Sequence, residues 1–135
     1  MKPLLIPALA LAVTAPAYAQ TPSSRPISAQ TRTLSGQPIA LPRGPVQVTF
    51  SETTVPAGAA IPPHKHPYPR YAYVVSGRLK VTNLVTGTSA EVAAGDLAID
   101  AIDQWHEAVA VGSEPVRMMV IDQAPPGVAN SIPRP

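Results

Sequence analysis

Three histidines are the residues whose type and spacing point most directly to chemistry. His64 and His66 stand one residue apart in HKHPYPRYAYVVSG, and His106 lies in the distant stretch QWHEAVAV. Alternate residues of a β-strand face the same way, so the first two imidazoles can reach one point inside a barrel, where the third joins them. An isolated histidine is more often a surface or core residue, but a turn-and-strand unit surrounds each part of this set. We therefore predict a mononuclear metal site with His64, His66 and His106 as ligands.

Short strands must position these histidines. The chain between residues 46 and 123 alternates β-branched or aromatic runs with turn residues, and no stretch of ten residues shows a helical stripe. The predicted strands are VQVTFSETTV, YAYVV, RLKVTNLV, SAEVAA, DLAID, QWHEAVAV and VRMMVID. A further edge strand is predicted at residues 39–41. This pattern predicts an all-β fold, an antiparallel jelly-roll β-barrel or sandwich.

The first residues have the features of a secretory signal peptide. Met1 and Lys2 precede the apolar run LLIPALALAV, and Ala17-Tyr18-Ala19 forms a small-x-small cleavage site. A membrane anchor is the rival interpretation, but the run is shorter than the ~20 residues that span a bilayer. We predict cleavage after Ala19, which gives a periplasmic or secreted protein with no membrane association after cleavage.

Composition divides the chain into four segments. Residues 1–19 are the predicted signal peptide, 20–45 an extended Pro/Ser-rich lead-in, 46–123 the barrel, and 124–135 a C-terminal tail of similar character to the lead-in. The chain has no cysteine, so its stability must come from packing, a metal or a partner subunit. Ten Lys and Arg against eight Asp and Glu, with no basic run, give no support for nucleic-acid binding.

The arrangement of glycines around the histidines resembles the first sequence motif of the cupin superfamily, and the likeness extends over residues 46–122. Gly58, His64, His66 and Gly77 match that motif in type and spacing, whereas Arg70 stands where the family has a glutamate. The resemblance therefore implies a cupin barrel without the usual carboxylate ligand.

The second cupin motif is matched less completely. Gly95 and His106 agree with it, but Ala101, Asp103 and Ala110 replace its proline, glycine and asparagine. Three-histidine sites occur in some cupin dioxygenases, of which cysteine dioxygenase and diketone-cleaving enzymes are examples. The resemblance also implies a homodimer in which an N-terminal strand joins the partner's sheet.

Arg70 is the residue that most affects the expected chemistry. Three neutral imidazoles leave a divalent ion its full charge, which favours an anionic small-molecule ligand. If strand parity persists past the two prolines before it, Arg70 points inward and can hold a carboxylate or phosphate. The alternative is a structural salt bridge, for instance with Asp100 or Asp103. Tyr68 and Gln104 share the inward parity and are the other candidate catalytic residues.

Two functional classes stay open at this point. One is a metal-dependent enzyme of dioxygenase, isomerase or decarboxylase type, acting on a small anionic oxygenated molecule that chelates one divalent ion. The other is a binding module that holds a metal or small ligand without turnover. Zinc, iron, manganese, copper and nickel all remain candidates for the ion, and the sequence identifies neither the ion nor the substrate.

Overall fold

A computed structural model describes residues 21–135, so the predicted signal peptide lies outside the described residues. Within that range the chain is all-β, as predicted, and no helix there has the length and hydropathy needed to cross a membrane. The strands are β1 (Gln47–Val55), β2 (Ala60–Lys65), β3 (Arg70–Ser76), β4 (Arg78–Asn83), β5 (Ser89–Ala93), β6 (Leu97–Ile99), β7 (His106–Ala110), β8 (Val116–Ala124) and β9 (Ile132–Pro133).

These strands form two antiparallel sheets of jelly-roll type. One sheet has the order β1-β8-β3-β6, and the other has the order β5-β4-β7-β2-β9. Strand β8 shows why they pack face to face, because its residues alternate between buried and more exposed along its whole length. The core between the sheets is made mainly of small and β-branched side chains. It consists of Val55, Ala72, Val74, Leu79, Val81, Val92, Ala98, Ala108, Ala110, Val116, Met118 and Val120.

Two strands lie outside the seven predicted runs, and of β2 the sequence predicts only the end, at His64 and Lys65, as extended. Strand β2 contains Pro62 and Pro63, which cannot donate to a ladder, and its pairing with β7 shifts register between Ile61 and His64. Prolines in sheets are found at such irregularities. Strand β9 belongs to the tail and pairs with the end of β2. The edge strand predicted at residues 39–41 is not formed; the lead-in instead has a single bridge between Arg32 and Pro38.

Gly77 makes the tight connection between β3 and β4. Its φ is 78°, and a Cβ atom at this position would lie 2.6 Å from the carbonyl oxygen of Pro115. Only glycine combines this conformation with such a close approach. The turn carries the chain from the sheet that contains Arg70 to the sheet that contains the histidine strands.

Candidate metal centre

The three histidines meet where β2 and β7 pair. His64 lies opposite His106 in the antiparallel register, and His66 follows the end of β2, where it bridges to Ile102. The ring centroids are 4.5, 4.8 and 4.9 Å apart, and one ring nitrogen from each histidine lies within 4.8 Å of the others. The structure therefore brings together the three side chains predicted to be ligands.

Main-chain carbonyls orient all three rings. Nδ1 of His64 donates to the carbonyl oxygen of Pro62 at 2.7 Å, and Nδ1 of His106 donates to that of Gln104 at 2.8 Å. Nδ1 of His66 donates to the carbonyl oxygen of Asn130 at 2.5 Å. A hydrogen bond of this kind fixes the proton on Nδ1 and leaves Nε2 with a lone pair, as in metal-binding histidines.

The Nε2 atoms of His66 and His106 are buried and have no hydrogen-bond partner among residues 21–135. Buried polar atoms are nearly always satisfied, because an unpaired one is costly. Two such lone pairs beside a third imidazole form a donor set that suits a divalent transition metal. The residues present therefore fit the metal that the sequence predicts.

Burial favours the neutral form of His64 and His66. Desolvation, followed by the nearby positive charge of Arg70, lowers the pKa of His66 to about 3. Desolvation also lowers the pKa of His64, with a smaller contribution from His106. Neutral imidazole is the form that binds a metal, so His66 needs no deprotonation near neutral pH.

Arg70 forms a structural ion pair with Asp122. Its Nε and Nη2 each donate to one carboxylate oxygen at 2.8 Å, and Asn130 Nδ2 donates to the same carboxylate at 2.7 Å. Burial alone would raise the pKa of Asp122, but the hydrogen bonds from Arg70 and Asn130 outweigh it and lower that pKa. Arg70 therefore forms the predicted structural salt bridge, but its partner is Asp122 instead of Asp100 or Asp103.

Asp100 lies near the centre, although the sequence predicts it only as a possible salt-bridge partner of Arg70. Its Oδ2 lies 3.5 Å from Nε2 of His66, and its side chain is only 14% exposed. Burial raises the pKa of this carboxyl group, against the effect of the neighbouring His106 and Arg70. A signal was present in the sequence, because alternation in DLAID places Asp100 on the same face as Ala98, which is buried.

A cavity of about 480 Å³ between the sheets borders the site. Its polar lining residues are His64, Arg70, Asp100 and His106, together with Thr53, Thr54 and Ser131. Most of the remaining wall is alkyl, formed by Val55, Ala59, Ala60, Ile61, Pro62, Pro63, Ala72, Leu79, Val81, Ala98, Ala108, Met118, Val120 and Pro133. A concave apolar space with a few convergent polar groups is typical of a small-molecule site.

Of the three candidate catalytic residues, only Arg70 lines this cavity. The side-chain oxygen of Gln104 accepts a hydrogen bond from Asn83 Nδ2 at 2.7 Å, and its main-chain carbonyl orients His106. Tyr68 is held through its main chain, which exchanges hydrogen bonds with the side chain of Asn130. Catalytic roles for Tyr68 and Gln104 stay predictions.

Asp103 holds the segment after His66 in place. Its N–H donates to the carbonyl oxygen of His66 at 2.7 Å, and its carboxylate pairs with Lys65 Nζ at 2.7 Å. Its φ of 53° is the left-handed conformation that the glycine of the second motif would adopt easily. Aspartate is one of the few other residues that tolerate this conformation. The chain therefore keeps the backbone conformation expected at this position of the second cupin motif, although aspartate replaces its glycine.

Comparisons with known proteins agree with this geometry. The family profile of the cupin domain matches residues 51–122. No curated protein shows significant sequence similarity to the chain.

Three solved structures are similar to this fold. An uncharacterized conserved protein with a double-stranded β-helix domain from Klebsiella pneumoniae is 26% identical, with a TM-score of 0.52, over 65% of this chain and 71% of its own. The polyketide cyclase RemF from Streptomyces resistomycificus is 25% identical, with a TM-score of 0.53, over 68% of this chain and 66% of its own. Oxalate oxidase in complex with the substrate analogue glycolate is 26% identical, with a TM-score of 0.50, over 56% of this chain. The match spans only 41% of that oxidase.

Proposed function

Because the chain belongs to the cupin family, whose domain profile matches residues 51–122, we propose that it is an exported metal-dependent cupin. Its His64, His66 and His106 hold one divalent ion, and its cavity takes an anionic oxygenated molecule that chelates this ion. The reaction is of dioxygenase, isomerase or decarboxylase type.

The observation that carries this proposal is the orientation of the imidazoles. Each Nδ1 is committed to a carbonyl, and the Nε2 atoms of His66 and His106 are buried without a partner among the described residues. A packing role for these histidines would leave two unsatisfied buried acceptors in the core. A shared metal ion satisfies both of them at once.

When bound, a divalent ion in this position supplies Lewis-acid polarisation of a substrate oxygen, and iron or copper adds redox chemistry. The chain's own residues do the remaining work. The carbonyls of Pro62, Gln104 and Asn130 hold the rings in place. Arg70 is fixed by Asp122 through Nε and Nη2, so the remaining N–H groups, on Nη1 and Nη2, can donate to a substrate anion in the cavity.

The dimensions and walls of the cavity indicate the substrate class. A space of about 480 Å³ is several times larger than a two-carbon carboxylate, and most of its wall is alkyl. The substrate that fits both features has an anionic oxygen head, which reaches the histidines, and an apolar body. The similarities to an oxalate oxidase and to a polyketide cyclase make glycolate-like and polyketide-like acids the two extremes to test.

Elemental analysis of the exported protein, purified without an affinity tag, tests the metal centre. We expect one metal ion per chain in the wild type, and loss of that metal in the variant His64→Ala/His66→Ala. Lys65→Ala is the matched control, because Lys65 lies between these histidines but directs its amine to Asp103. A wild type that is metal-free and takes up no zinc, iron, manganese, copper or nickel on dialysis would refute the proposal.

A non-catalytic binding module is the second candidate function. It is favoured by the scarcity of acid–base groups in the cavity, where Asp100 is the only carboxylate among the described lining residues. The two functions separate in one assay on the metal-loaded protein. Consumption of a bound acid over time supports the enzyme, and binding without chemical change supports the module.

Export is part of the proposal and rests on the leader sequence alone. We expect the protein recovered from the periplasm or medium to begin at Gln20. Intact-mass measurement checks this directly, because cleavage elsewhere or retention of residues 1–19 gives a different mass.

A further inference from the structure

We propose that Asp100 is a fourth, anionic ligand of the metal centre, supplied by the segment that follows β6. This inference rests on the proposed function, since it assumes that the three histidines hold a metal. It also changes the interpretation of Arg70. The chain lacks the glutamate of the first cupin motif, but it places a carboxylate at the same centre from a different part of the fold.

Distance supports direct coordination. Oδ2 of Asp100 lies 3.5 Å from Nε2 of His66. Two ligand atoms about 2.0–2.2 Å from one ion, at an angle of about 90–110°, are separated by about 2.8–3.6 Å. The observed separation falls within this range, and it is too long for a charge-assisted hydrogen bond.

The chemistry of the two facing atoms supports the same conclusion. Nδ1 of His66 donates to the carbonyl of Asn130, so the Nε2 that faces Asp100 carries a lone pair. A carboxylate oxygen is also an acceptor, and two acceptors that face each other in a buried site repel. A cation between them turns this repulsion into two bonds, which explains why both groups are found together.

The fold holds Asp100 there and keeps Arg70 from neutralising it. The N–H of Asp100 donates to the carbonyl oxygen of Arg70 at 3.1 Å, which ties the two segments together at the main chain. The guanidinium of Arg70 is directed to Asp122 through two hydrogen bonds of 2.8 Å. Among residues 21–135, no side chain donates a hydrogen bond of standard geometry to the Asp100 carboxylate.

A carboxylate ligand changes the charge of the centre. Three neutral imidazoles and one carboxylate leave a divalent ion with a formal charge of +1, instead of the +2 expected from histidines alone. In a six-coordinate ion, four protein ligands leave two positions, the number that a chelating molecule needs.

Metal affinity of the exported protein, measured by competition with a chelator, tests Asp100 apart from any activity. We expect Asp100→Asn to weaken binding of Mn²⁺ or Co²⁺ by about 10–100-fold, the range found when groups around a metal are altered. We also expect the visible spectrum of the Co²⁺-loaded protein to change. Glu91→Gln is the control, since it makes the same change of charge at a carboxylate that is 50% exposed and pairs with Arg78. Asp100→Glu, which keeps the charge, should retain more affinity than Asp100→Asn.

The outcomes separate this inference from the proposed function. If the wild type binds no metal, the metal centre itself is refuted, and Asp100 with it. If His64→Ala/His66→Ala abolishes binding while Asp100→Asn keeps both the wild-type affinity and the wild-type Co²⁺ spectrum, the metal centre stands and the role of Asp100 is overturned. Should Asp100→Asn fail to fold, Asp100→Ala takes its place, because alanine also removes the carboxylate and an unchanged metal affinity and Co²⁺ spectrum in that variant overturn the inference.

Discussion

The main-chain carbonyl of Asn130 accepts a hydrogen bond of 2.5 Å from Nδ1 of His66, although 64 residues separate the two along the chain. The side chain of Asn130 extends the connection, since it binds both the N–H and the carbonyl of Tyr68 and donates to Asp122. One buried residue of the C-terminal tail therefore links a metal-site histidine to the ion pair of Arg70.

Replacement of Asn130 by alanine should weaken both the fold and the site. The variant keeps the carbonyl that faces His66, but it removes the side-chain partner of the Tyr68 main chain and one of the three hydrogen bonds to the carboxylate of Asp122. We expect the free energy of unfolding to fall by about 2–3 kcal/mol, as buried unsatisfied groups require, together with weaker metal retention. Urea denaturation and elemental analysis measure the two effects. The neighbouring exposed residue provides the control Ser131→Ala, and equal effects of both variants would contradict the prediction.

Local pattern predicts most of the fold because most of its strands show clear alternation. Seven of the nine strands among residues 21–135, β1 and β3 to β8, coincide with predicted runs, and the resemblance to cupins agrees with the profile match. Of β2, the sequence predicts only the end around His64 as extended, because Pro62 and Pro63 argue against a strand. Strand β9 was missed because two residues in a Pro-rich tail carry no periodicity.

The sequence likewise predicts some residues of the site and not others. Parity within HKH and the motif spacing were sufficient to bring His64, His66 and His106 together. The partner of Arg70 was not predictable, because Asp122 is 52 residues away and only the register of β3 with β8 sets them opposite each other. The tail residue Asn130 gave no signal at all, since a single asparagine among prolines is typical of a surface turn.

The ion pair of Arg70 with Asp122 should contribute more to the free energy of unfolding than an exposed ion pair that also includes a residue of β8. The side chains of Arg70 and Asp122 are 23% and 12% exposed, whereas those of Arg117 and Glu52 are 54% and 52% exposed. A double-mutant cycle with Arg70→Gln and Asp122→Asn should give a coupling energy of about 2–3 kcal/mol.

The matched cycle with Arg117→Gln and Glu52→Gln should give less than about 1 kcal/mol, because solvent screens that pair. Denaturant unfolding of the four variants of each cycle provides the energies. Similar couplings in the two cycles would show that the environment of Arg70 does not strengthen its pair.

The metal-free protein should lose stability as pH falls from about 6.5 towards 3. Folded His66 stays neutral over this range because its pKa is lowered from 6.5 to about 3, whereas His66 of the unfolded chain becomes protonated. The unfolded state therefore binds more protons, and the free energy of unfolding falls by up to about 1.4 kcal/mol per pH unit. The lowered pKa of His64 acts in the same direction.

Urea denaturation across this range, with His66→Gln as reference, isolates the contribution of His66. Glutamine does not titrate, so the advantage of the wild type over His66→Gln should shrink as the pH falls. A constant difference between the two proteins would mean that His66 titrates alike in the folded and unfolded states.

An exposed apolar row on the outer face of the first sheet supports the predicted homodimer. Phe50 on β1 lies opposite Ile121 on β8, which lies opposite Tyr71 on β3, and Phe50 is 64% exposed. Contiguous exposed apolar groups of this kind mark interaction surfaces. We expect the wild type to be a dimer by light scattering, and Phe50→Asp to be a monomer at the same concentration, because a carboxylate would have to be buried without a partner.

Val85→Asp, at a residue that is 59% exposed in the turn after β4, should remain a dimer. A monomeric wild type would remove the dimer from the proposal, and a dimeric Phe50→Asp would move the interface away from this face.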